Sequence, residues 1–343
     1  MATNRIGRRS YRPAHPVYIS DWASIAGKKE SEGPLRDWYD RCIRDTRFGA
    51  KSWEQAEQRM QHETLELLTG KAGLTRDQID LVCSGDLLNQ CIGSSFPLRN
   101  TALPHLGLYG ACSTMAEALL TAALAVDAGF ADRAVAMTSS HFAAAERQYR
   151  FPLGYGGQRT PTAQWTVTGC GAALVRAEPS DIRLTSATVG TVTDLGVTDS
   201  ANMGAAMAPA ALDTIRTHLE DLGKTSADYD LIVTGDLGTL GKQALLCLAQ
   251  REGPELGGKL ADCSTLVFDP TGQDVHAGGS GCGCSAVALC SVLLGKLRRG
   301  DLRRILFCGT GALLSPASVQ QKLPIPGICH AVCLESGRNP WII

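Results

Sequence analysis

One self-similarity limits what this chain can fold into. Asp80–Leu87, DLVCSGDL, returns 150 residues later as Asp230–Leu237, DLIVTGDL. The run Gly110–Ser140 (small-residue turn, apolar helix, glycine, strand) is echoed by Gly281–Gly311 at an offset of 171. Two copies mean a duplicated β/α unit, because a solenoid needs three or more. The unequal offsets put an insertion in the middle of the repeat. The pattern predicts one five-layered α/β/α/β/α body with a pseudo-twofold axis.

The segments inside the repeat support that reading. Ser52–Leu68 has apolar residues at three- and four-residue steps behind a Ser52/Gln55 capping pattern, which predicts an amphipathic helix. Ile79–Asp86 reads as a short apolar strand running into a polar turn. Ser113–Ala128 is apolar on nearly every face and too short to span a bilayer, so it reads as a buried helix closed by Gly129 and followed by the strand Ala134–Met137. Its echo is the helix Ser285–Leu297, closed by Gly300, and the strand Arg304–Cys308.

Composition excludes several classes. At 343 residues with 44% hydrophobic and 20% charged side chains, the chain buries a large core and is not disordered. A net charge of −1 argues against nucleic acid as a partner. The 13 cysteines are odd in number and scattered through apolar segments with no secretory leader, so they read as reduced cytosolic thiols. Residues 1–20 carry Arg5, Arg8, Arg9 and Arg12 and no acid, which predicts a flexible basic tail or contact with an anionic bilayer. Residues 21–178 and 179–343 then form the two halves of one fused unit. No segment reads as transmembrane.

A cysteine at the turn opening a buried central helix, within this duplication, resembles the thiolase and ketoacyl-synthase superfamily. The closer resemblance is to the stage V sporulation protein AD family. It is carried by Gly85–Gln90, Leu108–Met115, Ser139–Phe142, Ala144–Pro152, Gln158–Gly169, Asn202–Ala211, Tyr229–Gly238, Gln273–Val287 and Thr310–Pro316, in order between about Tyr18 and Glu335. The resemblance implies a thiolase-like fold and binding of dipicolinic acid (pyridine-2,6-dicarboxylate) for uptake into the developing spore and release in germination. It further implies integral membrane partners of the same sporulation operon and a peripheral place at the spore inner membrane after synthesis in the cytoplasm. It also implies a homodimer formed through Ala134–Thr138.

Cys112 opens the first buried helix, where the macrodipole and free N–H groups favour a thiolate. A condensing enzyme adds a base and an oxyanion partner, usually His with a second His or Asn. Val233–Asp236 ends its strand without histidine, and Gly278–Cys282 contains no asparagine, although His276 lies just upstream. The expectation is a non-catalytic protein. The rivals are a Cys112-dependent acyltransferase or ketoacyl synthase using His141 or His276, and a scaffold with a vestigial pocket.

A flat dianion calls for Arg forks, amide nests and apolar faces. Arg147, Arg150 and Arg159 lie with Tyr155 and Trp165 in the unusual Ala144–Thr166 segment. Asp86 and Asp236 end equivalent strands and read either as turn caps or as groups facing a ligand carboxyl. Asn89 and Gly279 complete the candidate binding set. Cofactors are expected to be none, with Ca²⁺ entering only together with dipicolinate. The C-x-C spacing of Cys282 and Cys284, with Cys290 inside a helix, argues for packing rather than zinc. The glycine-rich runs lack the ending of a phosphate loop.

Overall fold

A computed structural model describes residues 4–337. Ten strands carry the architecture: β1 (Val17–Ala26), β2 (Leu81–Gly85), β3 (His105–Leu108), β4 (Arg133–Ser140), β5 (Gly169–Arg176), β6 (Ile182–Thr188), β7 (Leu231–Thr234), β8 (Leu260–Asp262), β9 (Arg304–Ala312) and β10 (Gly327–Ser336). Their spatial order is β8-β7-β9-β10-β6-β1-β5-β4-β2-β3. Read outward from the centre, both halves have the same sequence of first, fifth, fourth, second and third strand. The pairings match as well: the inner three strands of each half are antiparallel and the outer three parallel. The halves join where β1 and β6 pair antiparallel, with Ile19 opposite Ile182.

The duplication extends to turn chemistry. Thr75 and Gln78 form a capping box before β2, as Thr225 and Asp228 do before β7. Asp80 then accepts the N–H groups of Asp132 and Arg133, and Asp230 those of Arg303 and Arg304. Each aspartate pins its strand to the start of the next, which explains why the motif recurs.

Three cores separate the layers. Helix α1 (Trp53–Ala72) closes the outer face of the first sheet through Met60, Leu65 and Leu68. The largely apolar α2 (Thr114–Asp127) packs against strands of both halves, as its sequence requires. Helix α3 (Met203–Leu222) covers the outer face of the second sheet with α4 (Gly238–Glu252). The second central helix, α5 (Cys282–Ala288), continues through a π turn (Leu289–Leu293) to Leu294–Arg299 and lies beside α2. Outer helix, sheet, central helix pair, sheet and outer helices give five layers. No described helix is long and apolar enough to cross a membrane.

Two expectations are corrected. The basic segment is ordered from residue 4: Arg5–Ile6 pairs with Ser10–Tyr11, which pairs in turn with β6. The Asp221 carboxylate accepts the N–H groups of Arg8, Arg9 and Ser10, and Arg9 pairs with Asp213 at 2.7 Å. The acids missing from the tail are supplied by α3. Residues 1–3 of that segment, and 338–343 of the second half, lie outside the described residues. The second correction concerns Ala134–Thr138, which lies in β4 and is paired on both sides by β2 and β5. Its backbone has no free edge to offer a second copy; the open edge is β3.

Candidate functional site

The turn before α2 presents Cys112. Ala111 holds a positive φ of 51°, unusual for a residue with a side chain. The helix's own first hydroxyls stabilise the turn: Ser113 Oγ donates to Gly110 O at 2.7 Å and Thr114 Oγ1 to Ala111 O at 2.6 Å. Gly311 lets β9 pass behind, since a Cβ there would meet Gly110 O at 2.5 Å. The thiol, on a residue only 5% exposed, lies at the wall of a cavity of about 260 Å³.

Opposite it runs a short parallel pair, Trp165–Thr166 with Gly279–Ser280. Ser280 Oγ stands 3.9 Å from Cys112 Sγ and donates to Asp236 Oδ2 at 3.0 Å. Asp236 also accepts from Gly281 N at 2.9 Å and from Thr310 Oγ1 at 2.9 Å. Burial lifts this carboxyl to about 6 despite those donors. Burial, followed by the negative charge of Asp236, pushes the Cys112 thiol well above its ordinary value. The expected thiolate is therefore corrected: the helix N-terminus is outweighed by desolvation and a neighbouring acid.

Neither histidine reaches the cavity. His141 donates from Nε2 to Thr46 O at 2.7 Å and accepts the Ala144 N–H on Nδ1, capping a short helix. It lines a different cavity. His276, at φ 51°, faces Asp274 at 3.5 Å and is absent from the Cys112 cavity wall. No histidine stands beside the thiol among the described residues; the ionisable group next to it is the Asp236 carboxyl.

The arginines divide. Arg147 is committed to Glu54 at 2.6 Å and lies outside the cavity wall. Arg150 lines the cavity but is held by Glu146 through Nε and Nη2. Arg159 also lines it; Nη2 reaches Asp274 at 2.9 Å, while buried Nη1 has no protein partner. Trp165 faces away from the cavity, with one face covered by Phe142 at a centroid distance of 3.9 Å. It is therefore not a stacking surface for an occupant of this cavity.

Asp86 is a turn cap: it accepts Leu88 N, Ser94 N and Ser94 Oγ, each at 2.7 Å. Its equivalence to Asp236 in sequence does not carry over to the cavity. Asn89 is exposed on a single helical turn outside the cavity. Gly279 is buried, and its carbonyl accepts from Gln164 Nε2 at 2.7 Å. Residues not anticipated from sequence are Ser280, Gln164, Glu146, Tyr109 and Tyr149, all at the cavity wall. Strand alternation carried a signal for Gln164 and Thr166: as neighbours of Trp165, they must face the opposite way. Among the described residues, no group of three or more His, Cys, Asp or Glu is placed to hold a metal.

Five layers built from a duplicated half, with a cysteine at the first central helix, define a protein of the thiolase and ketoacyl-synthase fold. Solved structures agree. A 3-oxoacyl-[acyl-carrier-protein] synthase III from Aquifex aeolicus VF5 superposes with a TM-score of 0.59 at 12% identity, covering 93% of this chain and 99% of that one. Human mitochondrial 3-ketoacyl-CoA thiolase gives 0.56 at 12% identity, covering 94% and 99%. At such identity the likeness concerns the fold alone. The sequence pattern of the Stage V sporulation protein AD (SpoVAD) family matches residues 7–335. The stage V sporulation protein AD of Bacillus subtilis (strain 168) is 46% identical over 329 residues, 96% of this chain and 97% of that protein. The chain belongs to the stage V sporulation protein AD family, a sporulation protein family with a thiolase-like fold.

Proposed function

We propose that this chain is a non-catalytic binding protein for dipicolinate, acting in its uptake into the developing spore and its release in germination. The observation that carries the reading is at Cys112. The position of the nucleophile is kept, yet its neighbour is a serine bound to a buried carboxylate, and both histidines lie elsewhere. A thiol held protonated by burial and a neighbouring carboxylate, with no histidine in reach, is a poor acyl acceptor. What remains is a small cavity with tyrosine walls and an arginine that keeps a free donor, which suits a flat carboxylate. Family membership supports the sporulation role, and the membrane channel subunits and a peripheral place at the spore inner membrane belong to the same proposal.

Calorimetric titration with dipicolinate, with and without Ca²⁺, tests it, with pyridine-2-carboxylate as the control. Binding that needs both carboxylates is expected. Absence of heat under every condition, or covalent labelling of Cys112 by an acyl-CoA that vanishes in Cys112→Ala, overturns it.

A further inference from the structure

Two cations share one indole. Lys29 Nζ lies 4.0 Å from the centroid of the Trp165 ring, and Arg159 Cζ lies 4.7 Å from the same point. Phe142 occupies one face of that ring at an interplanar angle of 10°. Trp165 is thus a platform that holds positive charge, through attraction between the cations and its ring quadrupole. The separation of the two cations is at most those two distances laid end to end, the reach of a small dicarboxylate.

Lys29 was not singled out by any sequence motif. It lines a second cavity of about 520 Å³, with Trp53, His141, Phe142 and Trp165, across the Trp165–Thr166 strand from Cys112. Among the described residues no carboxylate pairs with its ammonium and no acceptor takes a hydrogen from it. Its backbone is fixed: Gln273 Nε2 donates to Lys29 O at 2.9 Å, and the next residue, Glu30, accepts Thr168 N at 2.9 Å. Burial pushes the ammonium below its ordinary value, with Asp274 opposing and Arg159 adding to the effect. The counter-ions are weak. Asp274 is 76% exposed and serves Arg159, Glu32 at the rim of the same cavity is exposed, and burial lifts Glu30 to about 7, so it carries only part of a charge near neutral pH.

Asp274 holds Arg159 through Nη2, but its buried Nη1 keeps an unpaired donor, and Lys29 Nζ keeps its donors as well. We infer that Lys29 is the second cation of the ligand site, and that an occupant with two carboxylates sets one against Arg159 and the other against Lys29 around the edge of Trp165. This rests on the binding reading above and adds to it the residue that distinguishes two carboxylates from one.

The test is titration of the full chain and of Lys29→Met and Lys29→Arg with pyridine-2,6-dicarboxylate and with pyridine-2-carboxylate. Lys29→Met is expected to weaken the dicarboxylate about tenfold, the scale of one charge-assisted hydrogen bond, and to leave the monocarboxylate unchanged. Lys29→Arg restores the affinity, and the salt dependence of dicarboxylate binding flattens in Lys29→Met. Equal weakening of both ligands, or undiminished dicarboxylate binding by Lys29→Met, overturns the inference while leaving the binding reading intact. Failure of the unmodified chain to bind either pyridine removes both.

Discussion

Cys112 and Asp236 face each other beside a shared hydroxyl: Ser280 Oγ lies 3.9 Å from the sulfur and donates to the carboxylate at 3.0 Å, and the thiol is itself in hydrogen-bonding reach of that carboxylate. A carboxylate at the position where a condensing enzyme usually carries histidine puts negative charge beside the thiol and reverses the electrostatics of the turn. The helix N-terminus still favours an anion at Cys112, but its effect is modest, about 0.3–1 kcal/mol at exposed sites. Burial and a negative neighbour together outweigh it.

This relationship predicts the behaviour of Asp236→Asn. Removing the charge lowers the Cys112 pKa, so alkylation by iodoacetamide near pH 8 should accelerate, roughly tenfold for each unit of pKa recovered. Stability should fall by about 1–3 kcal/mol, because an amide cannot accept from Ser280, Gly281 and Thr310 as fully as a carboxylate does. Unchanged labelling kinetics at Cys112, read by peptide mass spectrometry, would show that Asp236 does not govern the thiol.

Asp221 organises the N-terminal segment. Its two oxygens receive three backbone N–H groups and the Ser10 hydroxyl. Asp221→Ala leaves those donors to water and should release residues 4–12 from β6, with a loss of about 1–3 kcal/mol. Hydrogen exchange at Arg8, Arg9 and Ser10 should rise towards unprotected rates while α2 stays protected. Retained protection at those amides would mean that the strand pairing alone holds the segment.

How much of this was legible follows from where the partners lie. The duplication, the buried helices and the Cys112 turn were readable because the information is local: repeated capping boxes, apolar periodicity and glycine stops. Asp86 and Asp236 show the limit. Both close the same SGD or TGD motif, yet Asp86 finds its donors within eight residues, whereas those of Asp236 come from Ser280 and Thr310. No spacing rule predicts such distant partners. The anchoring of the N-terminal segment is illegible in sequence for the same reason, since Asp221 stands more than 200 residues from Arg8. Trp165 is legible as an aromatic, and strand alternation turns its neighbour Gln164 to the opposite side. Its Nε2 joins Asp236 O and Gly279 O, each at 2.7 Å.

The open edge of the first half predicts how copies would associate. β3 pairs only with β2, and Leu106 on it is 46% exposed. An unpaired edge with an apolar side chain is a template for a second strand. We expect a dimer joined β3 to β3, and Leu106→Lys should shift it to monomer in sedimentation velocity without moving the thermal midpoint of the monomer. A dimer that survives Leu106→Lys and also Gly107→Pro would place the interface elsewhere.

The buried pair of acids behind β4 gives the chain a pH signature. Glu57 and Asp86 are both fully buried, and Glu57 has no cation beside it among the described residues. Glu57 accepts the Ser139 hydroxyl at 2.7 Å, Gln61 Nε2 donates to the same hydroxyl at 2.8 Å, and the remaining oxygens, Glu57 Oε2 and Gln61 Oε1, lack partners. Burial first, and the charge of Asp86 second, lift the Glu57 carboxyl well above its ordinary 4.5. A carboxyl raised in the folded state binds its proton more tightly there than in the unfolded chain. Its contribution to stability is therefore complete below pH 4.5 and is lost as pH rises through the folded value, at about 1.4 kcal/mol per unit. Glu57→Gln replaces the protonated acid with a neutral isostere whose amide oxygen can still accept the Ser139 hydroxyl. The variant should match the parent near pH 4.5 and exceed it increasingly towards pH 8, as read by thermal midpoints across that range. A difference between the two proteins that stays constant with pH would show that Glu57 is already ionised in the folded chain.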